Sequence, residues 1–192
     1  MFAKEFFKKG LLQILQVVSG IKYEENPKHL KGELFLFLKE KGKIVKTIHQ
    51  SNIIVNTASI LIARLLKDNK EPTNGISYLG IGSGNDSWDP FDPPAPTTSQ
   101  TLLESEFYRK SISSSTFVDP QTAEPTSVHT NIVDYATTFS ESEAVGPIME
   151  LALFGGEATS TLDTGTMLNW RTFPVINKTN AMTLTIIFRI TA

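Results

Sequence analysis

At 192 residues, with 40% hydrophobic and 20% charged residues, the chain can form one well-packed domain and does not have a disordered composition. It contains no cysteine, which excludes disulfides, thiolate nucleophiles and zinc sites built from cysteine. The formal net charge is −2, but residues 1–70 hold 13 Lys and Arg against 6 Asp and Glu, whereas residues 71–192 hold 5 against 14.

The first predicted element is an amphipathic helix over residues 2–18, within an arm at 1–20 in which Gly20 is the stop signal. Charged residues interrupt its apolar run, so the segment is neither a membrane span nor a secretory signal. An isolated helix of this length is marginally stable in water, so we expect an arm that docks on its own body or on a neighbouring copy. The candidate contact residues of this arm are Phe2, Phe6, Phe7 and Leu11.

From Glu33 onward the apolar spacing changes from helical to alternating. Leucines at 34, 36 and 38 and phenylalanines at 35 and 37 occupy opposite faces, which predicts a strand buried on both faces. The charged segment 39–43 contains Gly42 and separates this strand from a more polar one over residues 44–50. We therefore expect a β-hairpin with a solvated tip.

A second helix is predicted over about residues 56–67, with Asn56 or Thr57 as its N-cap. A strand over residues 76–81 then ends in Gly82-Ser83-Gly84. The apolar stripe expected on the helix consists of Ile60, Leu61, Leu65 and Leu66.

Residues 85–99, named the proline loop here, contain four prolines and three aspartates. Such a composition predicts a long loop with polyproline character, and long loops usually have a task. Trp88 and Phe91 lie between prolines and aspartates, so we expect them to anchor an interface with another chain. The aspartates at 86, 89 and 92 could cup a hard cation, although an exposed acidic loop is the simpler interpretation because no EF-hand pattern is present.

The remaining chain reads as strands and turns, and the whole sequence contains about eight strands. The predicted later strands cover residues 107–117, 128–139, 148–154, 168–176 and 181–190. The last is the clearest alternating segment and should be a central core strand. We expect a mainly β protein: an antiparallel β-sandwich or jelly-roll-like domain over residues 31–192, with one inserted helix and the helical arm at 1–20.

No catalytic, cofactor-binding or metal site is predicted. The histidines at 29, 49 and 129 lack any metal-ligand spacing, and residues 80–84, GIGSG, lack the Lys-Ser/Thr of a phosphate loop. The carboxylate pairs Glu104 with Glu106 and Glu141 with Glu143 could serve a glycosidase, but solvated faces are the default interpretation. The sequence therefore predicts a protein that is not an enzyme.

The order of segments from residue 31 to residue 190 resembles small virion proteins of tailed bacteriophages. The segments that carry this resemblance are Lys31-Gly32-Glu33, Gly42-Lys43-Ile44-Val45, Ser51 to Asn56, Ile62 to Leu66, Ile76 to Gly84, Leu102 to Arg109, Asn177-Lys178-Thr179 and Leu184 to Ile190. Proteins of this look include capsid decoration (cement) proteins and tail or baseplate components, and they imply no cofactor and no catalytic residue.

The resemblance implies a structural protein of the virion, assembled in the host cytoplasm, and does not by itself separate capsid decoration from a tail, baseplate or contractile-injection-system role. Capsid decoration is favoured because a compact body with an extended arm suits the bridging of capsid subunits. Its partners would be copies of itself, in a homo-oligomer such as a trimer, and the major capsid protein or tail proteins. Neither nucleic acid nor a membrane is expected as a partner. A carbohydrate-binding module is the alternative from another class, because jelly-roll-like domains often bind sugars.

Overall fold

The computed structural model describes residues 30–67 and 75–192, and within them it contains ten strands and one helix. In chain order the elements are β1 (Lys31–Glu40), β2 (Lys43–Ile54), α1 (Thr57–Lys67), β3 (Ile76–Gly82), β4 (Glu106–Ser111), β5 (Ser114–Val118), β6 (Pro125–Thr126), β7 (Ile132–Phe139), β8 (Gly146–Gly155), β9 (Thr166–Lys178) and β10 (Met182–Thr191). The prediction of a mainly β fold with a helix near 56–67 is confirmed. The predicted helix within residues 1–20 lies outside the described residues.

The strands form one antiparallel sheet in the order β4-β3-β8-β9-β2-β1-β10-β7-β5-β6. Strand β2 pairs with β1 along most of its length, but only its last two residues, Ile53 and Ile54, pair with Trp170 and Asn169 of β9. We call β2-β1-β10-β7-β5-β6 the first half-sheet and β9-β8-β3-β4 the second. Both halves contribute side chains to one buried cluster, which therefore lies between them.

The alternation of β1 separates a buried face from a half-buried one. Leu34, Leu36 and Leu38 belong to the core, whereas Phe35 and Phe37 are only half-buried on the opposite face. The prediction that this strand is buried on both faces is therefore wrong. No described element covers the outer face fully, and Phe35 is instead flanked by side chains from the two neighbouring strands.

Strand β10 is the central core strand that its period-two pattern predicts. It pairs with β1 on one side and β7 on the other. Leu184, Ile186 and Phe188 are fully buried, while the intervening residues are half-buried. A strand with two neighbours and one face on the core needs this alternation.

The hairpin between β1 and β2 turns at Lys41 and Gly42, whose φ values are 48° and 77°. Two consecutive positive φ values are those of a type I′ turn, which matches the twist of the flanking strands. The tip is exposed as predicted, and it also exposes Ile44 and Val45 at 56% and 51%.

Helix α1 packs through a narrower face than the sequence predicts. Of the expected stripe only Leu61 is buried, whereas Ile60, Leu65 and Leu66 are exposed. Ala58, one turn before Leu61, supplies the other buried side chain. The prediction of a wider buried stripe was wrong, because the helix packs on the sheet mainly at one strand, β9. Only a narrow face of the helix is therefore covered.

Helix α1 begins at Thr57, which puts Asn56, one of the two predicted N-cap residues, at the N-cap position. The Thr57 hydroxyl donates to the carbonyl of Met167, 2.7 Å away, instead of closing the helix. The Asn56 carbonyl accepts bonds from the backbone and the hydroxyl of Ser59. The helix is therefore fastened to β9 through its first residue.

The segment predicted as one strand over 107–117 consists of two strands in different half-sheets. Strand β4 pairs with β3, whereas β5 pairs with β7. At the break, the N–H of Ile112 donates to Ser77 of β3 and the N–H of Ser113 donates to Ala136 of β7. The chain thus crosses between the halves there, a change of partner that strand periodicity does not reveal.

Candidate interaction surface

The proline loop lies along the free edge of β9, where β2 diverges from it. Two hydrogen bonds hold it to β9, from the Val175 N–H to the Pro90 carbonyl at 2.8 Å and from the Thr172 hydroxyl to the Pro94 carbonyl at 2.7 Å. A third, from the Asn56 N–H to the Thr98 carbonyl at 2.8 Å, holds the end of the loop beside the start of α1. An edge N–H that would otherwise lack a partner is satisfied in this way. The proline loop is therefore hydrogen-bonded to the body at three points instead of projecting into solvent.

Trp88 fastens the start of the proline loop to the body. Its ring is half-buried with its centroid 6.4 Å from that of Trp170. Gly84, with φ of +74°, lies directly against the indole, where any Cβ would fall inside van der Waals contact. Trp88 thus has an intramolecular packing role, and a contact with another chain remains a prediction for its exposed part.

Phe91 is displayed at the tip of a tight turn and is 78% exposed. The Asp92 N–H donates to the Asp89 carbonyl at 3.2 Å, and the Asp89 carboxylate accepts from the Phe91 N–H at 2.9 Å. Pro90 occupies the second turn position, where its fixed φ is favourable, and its carbonyl is held by β9. The phenyl ring therefore projects from a turn braced on both sides.

The aspartates of the loop do not form a cation site. In residues 30–67 and 75–192, no group of three or more His, Asp or Glu side chains could hold a metal ion. Asp86, Asp89 and Asp92 are all exposed, and the Asp89 carboxylate is used by the turn. We call residues 86–92, which carry these three negative charges and Phe91, the acidic turn.

Glu150 binds both ends of the β3–β4 connection, residues 83–105, which carries the acidic turn. Its carboxylate is fully buried and accepts the backbone N–H of Ser105 at 3.0 Å, of Glu104 at 3.1 Å and of Gly84 at 3.3 Å. The indole N–H of Trp170 donates to the same group at 3.0 Å. Burial raises the pKa of this carboxyl, and the four donors act against that rise. The Glu150 side chain thus joins both ends of the β3–β4 connection to β8.

A second buried carboxylate, Glu106, forms a fully buried ion pair with Arg109 at 2.7 Å. The guanidinium also donates to the Thr164 carbonyl at 2.6 Å and lies 4.3 Å from the ring centroid of Phe154. Glu106 accepts the Asp163 N–H at 2.6 Å. The pair fastens the β8–β9 connection onto the outer face of the second half-sheet.

The glycines of GIGSG make room for these two carboxylates. A Cβ on Gly80 would fall inside van der Waals contact of the Glu106 carboxylate, and one on Gly82 would collide with Glu150. Gly80 and Gly82 lie within β3, so the expected strand-end turn describes only residues 83 and 84. Alternating glycines in a strand signal close approach of another group. That signal indicates that other groups lie against β3, but it does not identify them. Sequence reasoning missed Glu150, and it expected a solvated face for Glu106, whose side chain is buried.

The predicted carboxylate pairs do not act together. Glu104 is exposed beside the buried Glu106, and Glu141 is exposed beside Glu143. Glu143 accepts from Lys110 at 2.6 Å and from the Ser140 N–H at 2.8 Å, and these bonds lower its pKa to about 2.

The hairpin tip forms a second exposed surface of opposite charge. Residues 39–46, named the basic tip here, carry four lysines and one glutamate, and they expose Ile44 and Val45. The tip and the acidic turn each combine exposed apolar side chains with charge of one sign.

The arm candidates Phe2, Phe6, Phe7 and Leu11 lie outside the described residues.

No protein-family model matches the chain, and no curated protein matches it in sequence. Within the part of the chain that the structure describes, no helix is long and apolar enough to cross a membrane.

Proposed function

We propose that this chain is a non-enzymatic structural protein of a tailed bacteriophage particle, with capsid decoration as its leading role. The observation that carries the proposal is Phe91, an exposed aromatic side chain on a turn braced by β9 and by Asp89. A large apolar side chain held in one place loses little conformational entropy when a partner covers it, which is the property of an interface anchor.

Three buried charged groups support a structural rather than a chemical role for the interior. Glu106 with Arg109 and Glu150 fasten connections to the second half-sheet. Each of these groups is already engaged by partners within the chain. Their effect is to hold surface loops in fixed positions, as a protein that presents contact surfaces requires.

The body proposed for this role is a β-sandwich with a jelly-roll-like shape. The first and second half-sheets face the shared core cluster and are joined through the end of β2. Such a body can present loops at its ends to several neighbours, and symmetric homo-oligomers are the usual result of self-association.

The test is to locate the chain on particles made by the phage genome that encodes it. Antibodies against the purified protein should label intact particles in electron micrographs, and the protein should co-purify with them through a density gradient. Label on the head supports capsid decoration, whereas label on the tail replaces that role with the tail or baseplate alternative. Particles that carry no label and no detectable chain would refute the proposal.

A carbohydrate-binding module is favoured by one feature, the aromatic residues on the outer face of the first half-sheet. However, Phe35 is stacked on His49 at 4.2 Å on one side and faces the Arg189 guanidinium at 5.5 Å from β10. With neighbours from both adjacent strands, this ring offers no free face for a sugar. A glycan array without binding would dismiss the module, and saturable binding that is lost in Phe35→Ala would revive it.

A further inference from the structure

The acidic turn and the basic tip are both held by backbone hydrogen bonds, exposed and opposite in charge. The acidic turn is held by its own turn bonds and by the Val175 N–H. The basic tip is held by a type I′ turn between two paired strands. Neither surface must be ordered when a partner binds, so each is prepared for a contact.

The apolar content of the two surfaces also matches. Phe91 is 78% exposed on the acidic turn, and Ile44 and Val45 are about half exposed on the basic tip. Exposed apolar residues bounded by charge are typical of interaction sites. All three side chains are exposed in a single chain, so the acidic turn and the basic tip of the same chain do not cover each other.

We propose that copies of this chain associate head to tail, with the acidic turn of one copy docked on the basic tip of the next. Phe91 packs against Ile44 and Val45, and the aspartates at 86 and 92 face the lysines at 39 and 43. This inference deepens the proposed function, because it identifies the self-contact of the structural protein.

The geometry of such a contact is heterologous, because it joins two different surfaces. A heterologous contact gives a closed ring when its rotation closes, and otherwise an open filament. Opposite charges at its rim speed encounter and set the register, and exposed pairs are screened by salt. Association should therefore weaken as ionic strength rises.

The decisive experiment uses two charge-reversal variants of the full chain. Asp86→Lys with Asp92→Lys makes the turn basic and leaves the bond from Asp89 to the Phe91 N–H intact. Lys39→Glu with Lys43→Glu makes the tip acidic. Each variant alone then carries two surfaces of the same sign and should associate at least about tenfold more weakly than the natural chain in sedimentation velocity.

Mixing the two variants is the specific test. Each surface of one variant then meets an oppositely charged surface of the other, so a 1:1 mixture should form oligomers in which the variants alternate. Native mass spectrometry distinguishes alternating from homotypic species. A matched double reversal at exposed sites elsewhere, Glu124→Lys with Glu141→Lys, should leave association unchanged, and circular dichroism establishes that every variant is folded.

Three results would overturn the inference: a natural chain that stays monomeric, folded variants that associate like it, or a mixture that does not associate. None of them bears on whether antibodies label phage particles, so failure of the self-contact and failure of the proposed function are separable. A chain that labels particles but stays monomeric would keep the virion role and lose the head-to-tail contact.

Discussion

The Glu150 carboxylate and the indole N–H of Trp170 are joined by a 3.0 Å hydrogen bond between two neighbouring strands of the second half-sheet. Trp170 in turn lies beside Trp88, and Glu150 holds the backbone at Gly84 and Ser105. This pair therefore connects the central sheet to both ends of the chain segment that carries the acidic turn. The position of Phe91 depends on a carboxylate about 60 residues further along the sequence.

Replacing Glu150 by Gln should loosen the acidic turn without changing its sequence. The carboxylate oxygens accept four N–H groups, and an amide would point its own NH₂ at two of these donors. We expect a loss of about 1–3 kcal/mol in the free energy of unfolding. Hydrogen exchange should accelerate over residues 84–105. Glu104→Gln, at an exposed neighbouring position, is the control and should leave both measurements nearly unchanged.

The pH dependence of stability should show two carboxyls acting in opposite directions. Glu143 has its pKa lowered to about 2 from 4.5, so its stabilising contribution is complete above pH 4.5 and is lost as pH falls toward 2. The pKa of Glu150 is raised by burial, so its contribution declines as pH rises above 4.5 through the raised value.

Urea unfolding across this range tests the sign for Glu143. The difference in unfolding free energy between the natural chain and Glu143→Gln should shrink as the pH falls below 4.5. A difference that stayed constant down to pH 2 would contradict the low pKa of Glu143.

Gly82→Ala should be destabilising because the new methyl group collides with the Glu150 side chain. Overpacking a filled site typically costs about 1–3 kcal/mol. In a Glu150→Ala background the space is vacated, so the same substitution should cost much less. A double-mutant cycle measures this coupling, and additive effects would show that the carboxylate does not fill the space above Gly82.

Arg109→Met should leave Glu106 as a buried carboxylate without its counter-charge. Breaking a buried ion pair from one side typically costs about 3–5 kcal/mol. The double variant Glu106→Leu with Arg109→Met should recover part of this loss, because the uncompensated charge is gone while the Asp163 N–H and the Thr164 carbonyl still lack their partners. Chemical denaturation of both variants tests the order. Equal stability of the two would contradict it.

Trp88→Ala and Phe91→Ala should separate folding from association. Trp88 is half-buried against Trp170, so its loss should cost about 1.5–3 kcal/mol of stability. Phe91 is exposed, so its removal should change stability by less than about 0.5 kcal/mol while weakening oligomer or particle assembly. Thermal unfolding and sedimentation of the two variants check this contrast. Assembly that survives Phe91→Ala would remove Phe91 as an anchor.

Local sequence patterns were sufficient to predict the elements that depend only on neighbouring residues. The hairpin at Gly42, the helix near 56–67 and the alternating strand that ends at Ile190 follow from turn chemistry and hydrophobic periodicity. The exposed position of Phe91 also agrees with its setting among prolines and aspartates. The failures involve contacts between distant segments. The second face of β1 and the narrow buried face of α1 depend on which other element happens to cover them.

The sequence by itself determined a mainly β, antiparallel chain with an acidic, proline-rich loop, because backbone geometry and side-chain polarity act over a few residues. Only the tertiary structure decided how that loop is held. The long-range folding of the chain brought Glu150, Gly84 and Ser105 together, and the glycines of β3 made the space for this contact. Burial and pairing depend on three-dimensional neighbours, which no local pattern specifies.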